Sequence, residues 1–268
     1  MATTDKDSSL PPRTIALAPL RFVYAVYAAG AFLVMGLCTL LALLLVPGLQ
    51  RRRAVARVFA RVFLWLAGMP VTIRSIERIP DAQCVLVSNH ASYLDGVLFT
   101  AVLPPRFGFV IKREMNNVPL AGLLLRRLGS EFVERFNRNR GAADARRVLR
   151  NATNGNSLVF FPEGTFTPSP GLLKFHTGAF VAAARAGCPV VPALVRGSRV
   201  ALSPRTGMPR PNRIEIQFLP PIEPSGAASE GAATEMRDRA RAAILSELGE
   251  PDLTCSDDTD HPRDRALG

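Results

Sequence analysis

The sequence predicts an α/β fold: a mostly parallel mixed sheet flanked by helices, with a membrane-associated helical segment ahead of it. Three observations carry that expectation. From about residue 70 to 250, short apolar runs of strand length alternate with longer stretches of helical periodicity, the pattern of a parallel sheet covered on both faces. Ahead of them, Phe22–Leu49 contains no charged side chain. Between the two lies an arginine-rich amphipathic stretch.

Taken in order, residues 1–20 are polar and proline-containing and read as a flexible N-terminus. Phe22–Leu49 would form a helix of about 42 Å, longer than the roughly 30 Å hydrocarbon core of a bilayer. It exceeds the apolar region of a signal peptide and lacks a small-residue cleavage pattern, so it reads as retained. Arg51-Arg52-Arg53 follows, and Arg57 and Arg61 then run beside Val62, Phe63 and Trp65. A basic stripe next to aromatic residues fits a helix lying among lipid headgroups. The arginine cluster also puts everything after residue 50 on the cytoplasmic side. Charge counting leaves open whether the apolar run crosses the bilayer or dips in and returns. Residues 21–69 are thus expected to be membrane-anchoring helices and 70–250 one α/β domain.

Within that domain the apolar runs predict strands at Val71–Ile76, Cys84–Ser88, Phe107–Ile111, Glu131–Arg135, Leu158–Phe161, Val190–Val195 and Arg213–Leu219. Helical patterns fall at Leu94–Leu103, Leu120–Leu128, Ala142–Asn151, Ala179–Arg185 and Ala232–Leu248. Residues 251–268 are acidic, turn-rich and poor in apolar side chains, so they are expected to be disordered.

The formal net charge is +11, which suits an anionic membrane surface or an acidic soluble partner. Nucleic acid is set aside, because the arginines are dispersed and no basic, aromatic-rich module appears. Cys38, Cys84, Cys188 and Cys255 show no paired spacing. They read as small apolar residues of a reducing compartment, and neither a zinc site nor a disulfide framework is expected.

The chemistry is concentrated in Val87-Ser88-Asn89-His90-Ala91-Ser92-Tyr93-Leu94-Asp95. On a continuous helix, five positions of about 100° each would set His90 and Asp95 on different faces. A strand, a tight loop and a helix start would instead let the carboxylate fold back to the imidazole. That is the arrangement of a general base, with one ring nitrogen held by an acid and the other free to take a proton. Taken singly the spacing is a weak signal, compatible with a surface histidine beside a helix-capping aspartate. A second block, Ser157-Leu158-Val159-Phe160-Phe161-Pro162-Glu163-Gly164-Thr165, is another apolar strand that ends in a proline turn and a lone acid. In open α/β sheets, functional groups gather at the carboxyl ends of strands, so both blocks can share one crevice.

Four blocks in order then resemble the glycerolipid acyltransferase family, the 1-acylglycerol-3-phosphate acyltransferases and their relatives. They are Asn89-His90 with Asp95, then Gly129-Ser130-Glu131-Phe132-Val133-Glu134-Arg135, then Phe161-Pro162-Glu163-Gly164-Thr165, then Val191-Pro192. The resemblance spans roughly residues 70 to 220 and identifies 70–250 as an acyltransferase domain. It implies transfer of a fatty acyl group from a thioester to a lipid hydroxyl. His90 would deprotonate the acceptor, while Asp95 would fix the ring tautomer and stabilise the imidazolium. Arg135 would clamp an acceptor phosphate, and Glu163, Gly164 and Thr165 would line the same pocket, with Glu163 orienting an arginine or an acceptor hydroxyl. Lys112 lies in a stretch that loosely matches a further family block. Ser92 is expected to be a turn residue and not a nucleophile.

One departure stands out. Many members carry arginine directly after Glu-Gly-Thr, where this chain has Phe166. The missing charge would come from Lys112, Lys174 or Arg199, or else the acceptor lacks that phosphate. His176 stands where relatives often have a basic residue. The resemblance further implies a two-helix, dipping membrane anchor and therefore a helical hairpin at the N-terminus. It implies membrane lipids and acyl-CoA or acyl carrier protein as partners, no metal and no cofactor beyond the co-substrate thioester. The location it implies is the cytoplasmic face of a membrane, such as a bacterial inner membrane. Oligomeric state is left open. Two other readings keep the same residues: hydrolysis of the thioester by water, and a non-catalytic membrane scaffold.

Overall fold

The computed structural model describes residues 18–134, 138–225 and 229–254. Two N-terminal helices come first, α1 (Ala18–Leu45) and α2 (Leu49–Leu66). The chain reverses between them at Val46-Pro47-Gly48. Proline cannot extend a helix, and Gly48 takes φ 83°, which glycine adopts at little cost. The two helices run back along each other: the Tyr24 hydroxyl donates to the Ala67 carbonyl at 2.6 Å and that of Tyr27 to Leu66 at 3.1 Å. Midway, Phe32 meets Phe63 edge-on with centroids 5.4 Å apart.

The expected headgroup-facing arginine stripe is turned the other way. Arg57 donates to the carbonyls of Ala101 and Val102 at 3.3 and 2.9 Å, and Arg61 donates to Ala101 at 2.8 Å. Arg53 donates to Leu128 and Arg106 carbonyls at 2.9 and 3.0 Å. The physical reason lies in the partner helix, α3 (Asp95–Val102), whose last carbonyls have no acceptor role inside the helix. Cationic donors satisfy those carbonyls and also meet the negative end of the helix dipole. Beside the exposed Arg51 and Arg61, α2 also turns apolar side chains to solvent: Val58, Val62 and Trp65 are exposed, Trp65 at 79%.

The strands are β1 (Val71–Arg74), β2 (Val85–Ser88), β3 (Phe107–Lys112), β4 (Glu131–Val133), β5 (Ser157–Phe160), β6 (Val190–Arg196) and β7 (Ile214–Phe218). They form one sheet in the order β1-β7-β6-β2-β5-β3-β4. All pairings are parallel except β6 with β7, so the sheet is mixed and mostly parallel. The central strand β2 is buried at every position, as a strand covered on both faces must be. Its side chains alternate between two cores. Leu86 joins α2 and α3 through Leu64, Leu98 and Phe99. Val85 and Val87 join the opposite layer through Phe180 and Met236. That second layer consists of α6 (Gly178–Ala186) and α8 (Glu230–Leu248). The remaining helices are α4 (Ala121–Arg127), α5 (Arg138–Thr153) and the single turn α7 (Ser198–Ala201).

The strand expected to reach Arg135 ends at Val133, and Arg135 lies outside the described residues. Of the tail expected to be disordered from 251, Pro251–Thr254 is placed. Leu172 bonds with Pro251 and Leu253 through the backbone, and Asp252 pairs with Arg241. The Arg241 guanidinium, together with the Thr254 N–H and hydroxyl that also donate to it, holds the Asp252 carboxyl below the usual carboxylate range. Residues 1–17 and 255–268 lie outside the described residues.

Candidate active site

The site begins where β2 stops. Asn89, buried at 2% exposure, continues the ladder with its side chain: Nδ2 donates to the Val195 carbonyl at 3.1 Å and Oδ1 accepts the Val195 N–H at 2.8 Å. The amide thereby does the work of a peptide group and frees the backbone to turn at His90. Asp95 then opens α3, where a carboxylate is favoured by the helix dipole. Its Oδ2 is the hub of the turn. It accepts the Ala91 N–H at 2.7 Å, the Ser92 N–H at 2.9 Å and His90 Nδ1 at 2.8 Å. An oxygen already accepting two backbone N–H groups makes Nδ1 the protonated nitrogen, so Nε2 carries the lone pair. The expected strand, loop and helix start is present, and it folds the carboxylate back onto the ring.

Ser92 is fully buried and structural. Its Oγ donates to the Leu202 carbonyl at 2.9 Å and accepts the Leu94 N–H at 3.2 Å. The His90 ring stacks on Phe161 with centroids 4.3 Å apart and meets Phe166 edge-on at 4.5 Å. Tyr93 in turn stands edge-on to Phe166 at 4.7 Å. The position where many relatives place an arginine is therefore an aromatic wall against the imidazole.

Glu163 departs from its expected place. It is 4% exposed and does not line the cavity beside His90. Oε1 accepts the His90 N–H at 2.6 Å and Oε2 the Leu173 N–H at 2.9 Å. Both oxygens therefore bind main chain, tying the histidine turn to the loop before α6. Burial pushes its carboxyl up to about 7, against the opposing pull of those two N–H groups. Gly164 turns the chain at φ 76°, and Gly164 and Thr165 do line the cavity.

The expected cations are dispersed. Lys112 lines the cavity and lies 3.3 Å from Glu114. Arg199 is occupied elsewhere: it holds the carbonyls of Thr167 and Ser169 and pairs with Glu250 at 3.0 Å. Lys174 and His176 are exposed and outside the cavity. Just before Arg135, the Glu134 N–H donates to Asp144 at 3.0 Å, and Arg113 and Arg147 grip the same carboxylate. Arg113, through its hydrogen bonds, holds the Asp144 carboxyl below its ordinary value.

His90 opens into a cavity of about 650 Å³. One wall is the domain itself, with Val97, Phe109, Ser130 and Leu128; the other is α1 and α2, with Phe32, Met35, Gly36, Thr39, Ala56 and Phe63. Its lining is overwhelmingly apolar, and its volume lies in the range of sites that enclose a sizeable ligand. Sequence reasoning missed this second wall. The only signal was Gly36, a small residue among Phe32, Leu33, Val34, Met35 and Leu37 of the apolar run. It also missed Asn89 as a peptide mimic and Phe161 as the stacking partner, although both adjoin residues that had been singled out.

The family profile described as Acyltransferase matches residues 70–196. The 1-acyl-sn-glycerol-3-phosphate acyltransferase of Saccharomyces cerevisiae is 26% identical over 73% of this chain, and the chain spans only 65% of that relative's length. The protein of the same name from Pseudomonas aeruginosa is 28% identical over 85% of this chain and 89% of its own. Among solved structures, the 1-acyl-sn-glycerophosphate (LPA) acyltransferase of Thermotoga maritima has the same fold, with a TM-score of 0.67 and 22% identity. It covers 88% of this chain and 98% of its own. Motif order, fold and these relatives agree in supporting the glycerolipid acyltransferase family.

Proposed function

We propose that this protein moves a fatty acyl group from an acyl thioester, acyl-CoA or acyl carrier protein, to the hydroxyl of 1-acylglycerol-3-phosphate or a related lysophospholipid. The observation that carries the reading is the Asp95-held imidazole of His90 at an apolar cavity large enough for a fatty chain. Nε2 takes the proton of the acceptor hydroxyl as its oxygen attacks the thioester carbonyl. Asp95, through Nδ1–H, stabilises the resulting imidazolium. The tetrahedral intermediate collapses with cleavage of the carbon–sulfur bond, and the imidazolium returns its proton to the departing sulfur. No acyl-enzyme is required, in keeping with the structural role of Ser92. Glu163 acts through the His90 backbone as a positioning residue. Lys112 and Arg135 are the cations we assign to the acceptor's phosphate, with Gly164 and Thr165 bordering it.

The membrane seating follows from α1. Pro19–Leu45 is long and apolar enough to cross a bilayer, and only 22% of its apolar 18-residue stretch is buried against the protein. Yet α1 is tied down at both ends: Tyr24 to Ala67 at the end of α2, and the buried Leu43 to Ala56 of α2 and Leu128 of the domain. A helix tied down along its length cannot place its ends on opposite sides of a bilayer while the domain stays on one. We therefore read α1 and α2 as a hairpin lying within one leaflet, with the apolar sides of both helices in lipid.

The test is to supply vesicle-bound protein with labelled palmitoyl-CoA and a panel of lysolipids and identify the new ester. Formation of phosphatidic acid from the lysophosphatidate supports the reading. Free fatty acid at the same rate with and without acceptor would make the enzyme a hydrolase. A second reading concerns the acceptor alone. Phe166 against the imidazole favours a lipid alcohol without phosphate, and transfer to monoacylglycerol but not to lysophosphatidate in the same panel would select it.

A further inference from the structure

Leu120 carries a rare backbone conformation. Its φ is 60° and ψ −51°, and the Ala121 N–H closes onto the Pro119 carbonyl at 2.6 Å. This is a γ-turn of the strained, positive-φ kind. Among the described residues only Ser75 shares positive φ without being glycine. The turn is wedged in place from behind: a Cβ on Gly122 would fall 2.2 Å from the Asn116 carbonyl oxygen, so the backbones are in close contact there. Gly122 and Leu124 also anchor it through N–H bonds to the Val118 and Leu120 carbonyls at 2.8 and 2.9 Å.

The side chain makes the position stranger still. Glycine would relieve the backbone and a polar residue would suit water, yet the turn displays Leu120 at 62% exposure beside Val118 at 42%. Strain and exposed apolar surface at one residue persist where the surroundings over-determine them, and such sites cluster at ligand clamps and switches. From Met115 to Leu125 the chain has no charged side chain. The segment also shares the cavity with α1: Met115, Ala121 and Leu124 line it together with Phe32, Met35 and Gly36.

We infer that the Val118-Pro119-Leu120 tip is a second membrane-insertion point, buried in the acyl region of the bilayer beside α1. Helix α1 and the tip form the two sides of an opening through which a lipid chain passes from the leaflet to His90 without crossing water. The occupant is lipid and not a protein partner, because the segment carrying the tip lines the apolar cavity together with α1. This rests on the membrane seating proposed above.

The test uses the full-length chain and mixed phosphatidylcholine–phosphatidylglycerol vesicles. A Leu120→Trp reporter is placed in a Trp65→Phe background, which removes the chain's one tryptophan. Strong quenching of its emission by chain-brominated lipid is the expected result; emission unaffected by brominated lipid overturns the inference. Leu120→Asp should lower the vesicle partition coefficient by about tenfold, the loss expected for withdrawing one large apolar side chain from lipid. Leu120→Gly relieves the turn, so its thermal stability should be no lower than wild type while partitioning still weakens. That combination separates lipid contact from misfolding. Wild type that fails to float with vesicles overturns the membrane seating itself. Wild type that floats, with both variants floating equally well, overturns only the inserted tip.

Discussion

The histidine turn and the wall of the apolar cavity lie against each other and are built in opposite ways. The turn is local: six consecutive residues close on one another, and one oxygen of Asp95 organises three donors within them. The cavity wall is remote in sequence, drawing Gly36, Phe63, Phe109 and Leu124 from four separate elements. The difference teaches that reactivity here rests on short-range hydrogen bonds, whereas substrate fit rests on how the helices dock. Changes in the turn should therefore act on kcat and changes in the wall on which chain is accepted.

The largest effect should come from the turn. His90→Ala and Asp95→Asn should each lower kcat by roughly a hundred- to ten-thousandfold with little change in vesicle binding, measured by ester formation and flotation. Wild-type turnover in His90→Ala would remove the imidazole from the chemistry. Next comes the wall. A Cβ on Gly36 meets nothing within 4 Å, so Gly36→Leu can fill the cavity without a backbone clash. It should shift the preferred acyl chain shorter, since each methylene denied burial forfeits about 0.8 kcal/mol. An unchanged chain-length profile at equal kcat would detach α1 from the acyl site.

Glu163 lies behind the histidine turn, bound to the His90 and Leu173 N–H groups, and carries a pH signature. Its folded-state value of about 7 lies above the ordinary 4.5, so the folded protein holds the proton more tightly than the unfolded chain. Its contribution to stability is therefore complete below about 4.5 and is lost as pH rises toward about 7. Melting temperatures across that window should fall for wild type and flatten for Glu163→Gln. Equal slopes would show that the carboxyl is not held protonated by burial. The smallest effect should come from the docking arginines. Arg57→Gln or Arg61→Gln should each cost about 0.3–1 kcal/mol of stability through the lost helix cap. Their affinity for anionic vesicles should hardly change. The reverse outcome would restore these arginines to the headgroups.

Much of this was legible in advance. Every expected strand appears, because β2, β5 and β6 are continuous apolar runs whose burial on both faces leaves little choice of structure. His90 and Asp95 were legible as a pair, because the turn that joins them is encoded within the same few residues. The direction of α2 was not. Its sequence is equally amphipathic with the arginines facing lipid headgroups or facing the carbonyls of Ala101 and Val102. Glu163 illustrates the same limit: its position after a strand marks it as part of the site, but not that both oxygens are taken by backbone donors.

The amino-acid order alone determined the layered α/β architecture and the acid–imidazole pair, since both arise from periodicity and contacts a few residues long. Tertiary structure decided where the charge sits and what shape the greasy chamber takes. Arg199 faces carbonyls, Phe166 faces the imidazole, and α1 closes the chamber. The reason is physical: a guanidinium or an aromatic ring satisfies many partners equally well in isolation, and only docking of distant elements selects one.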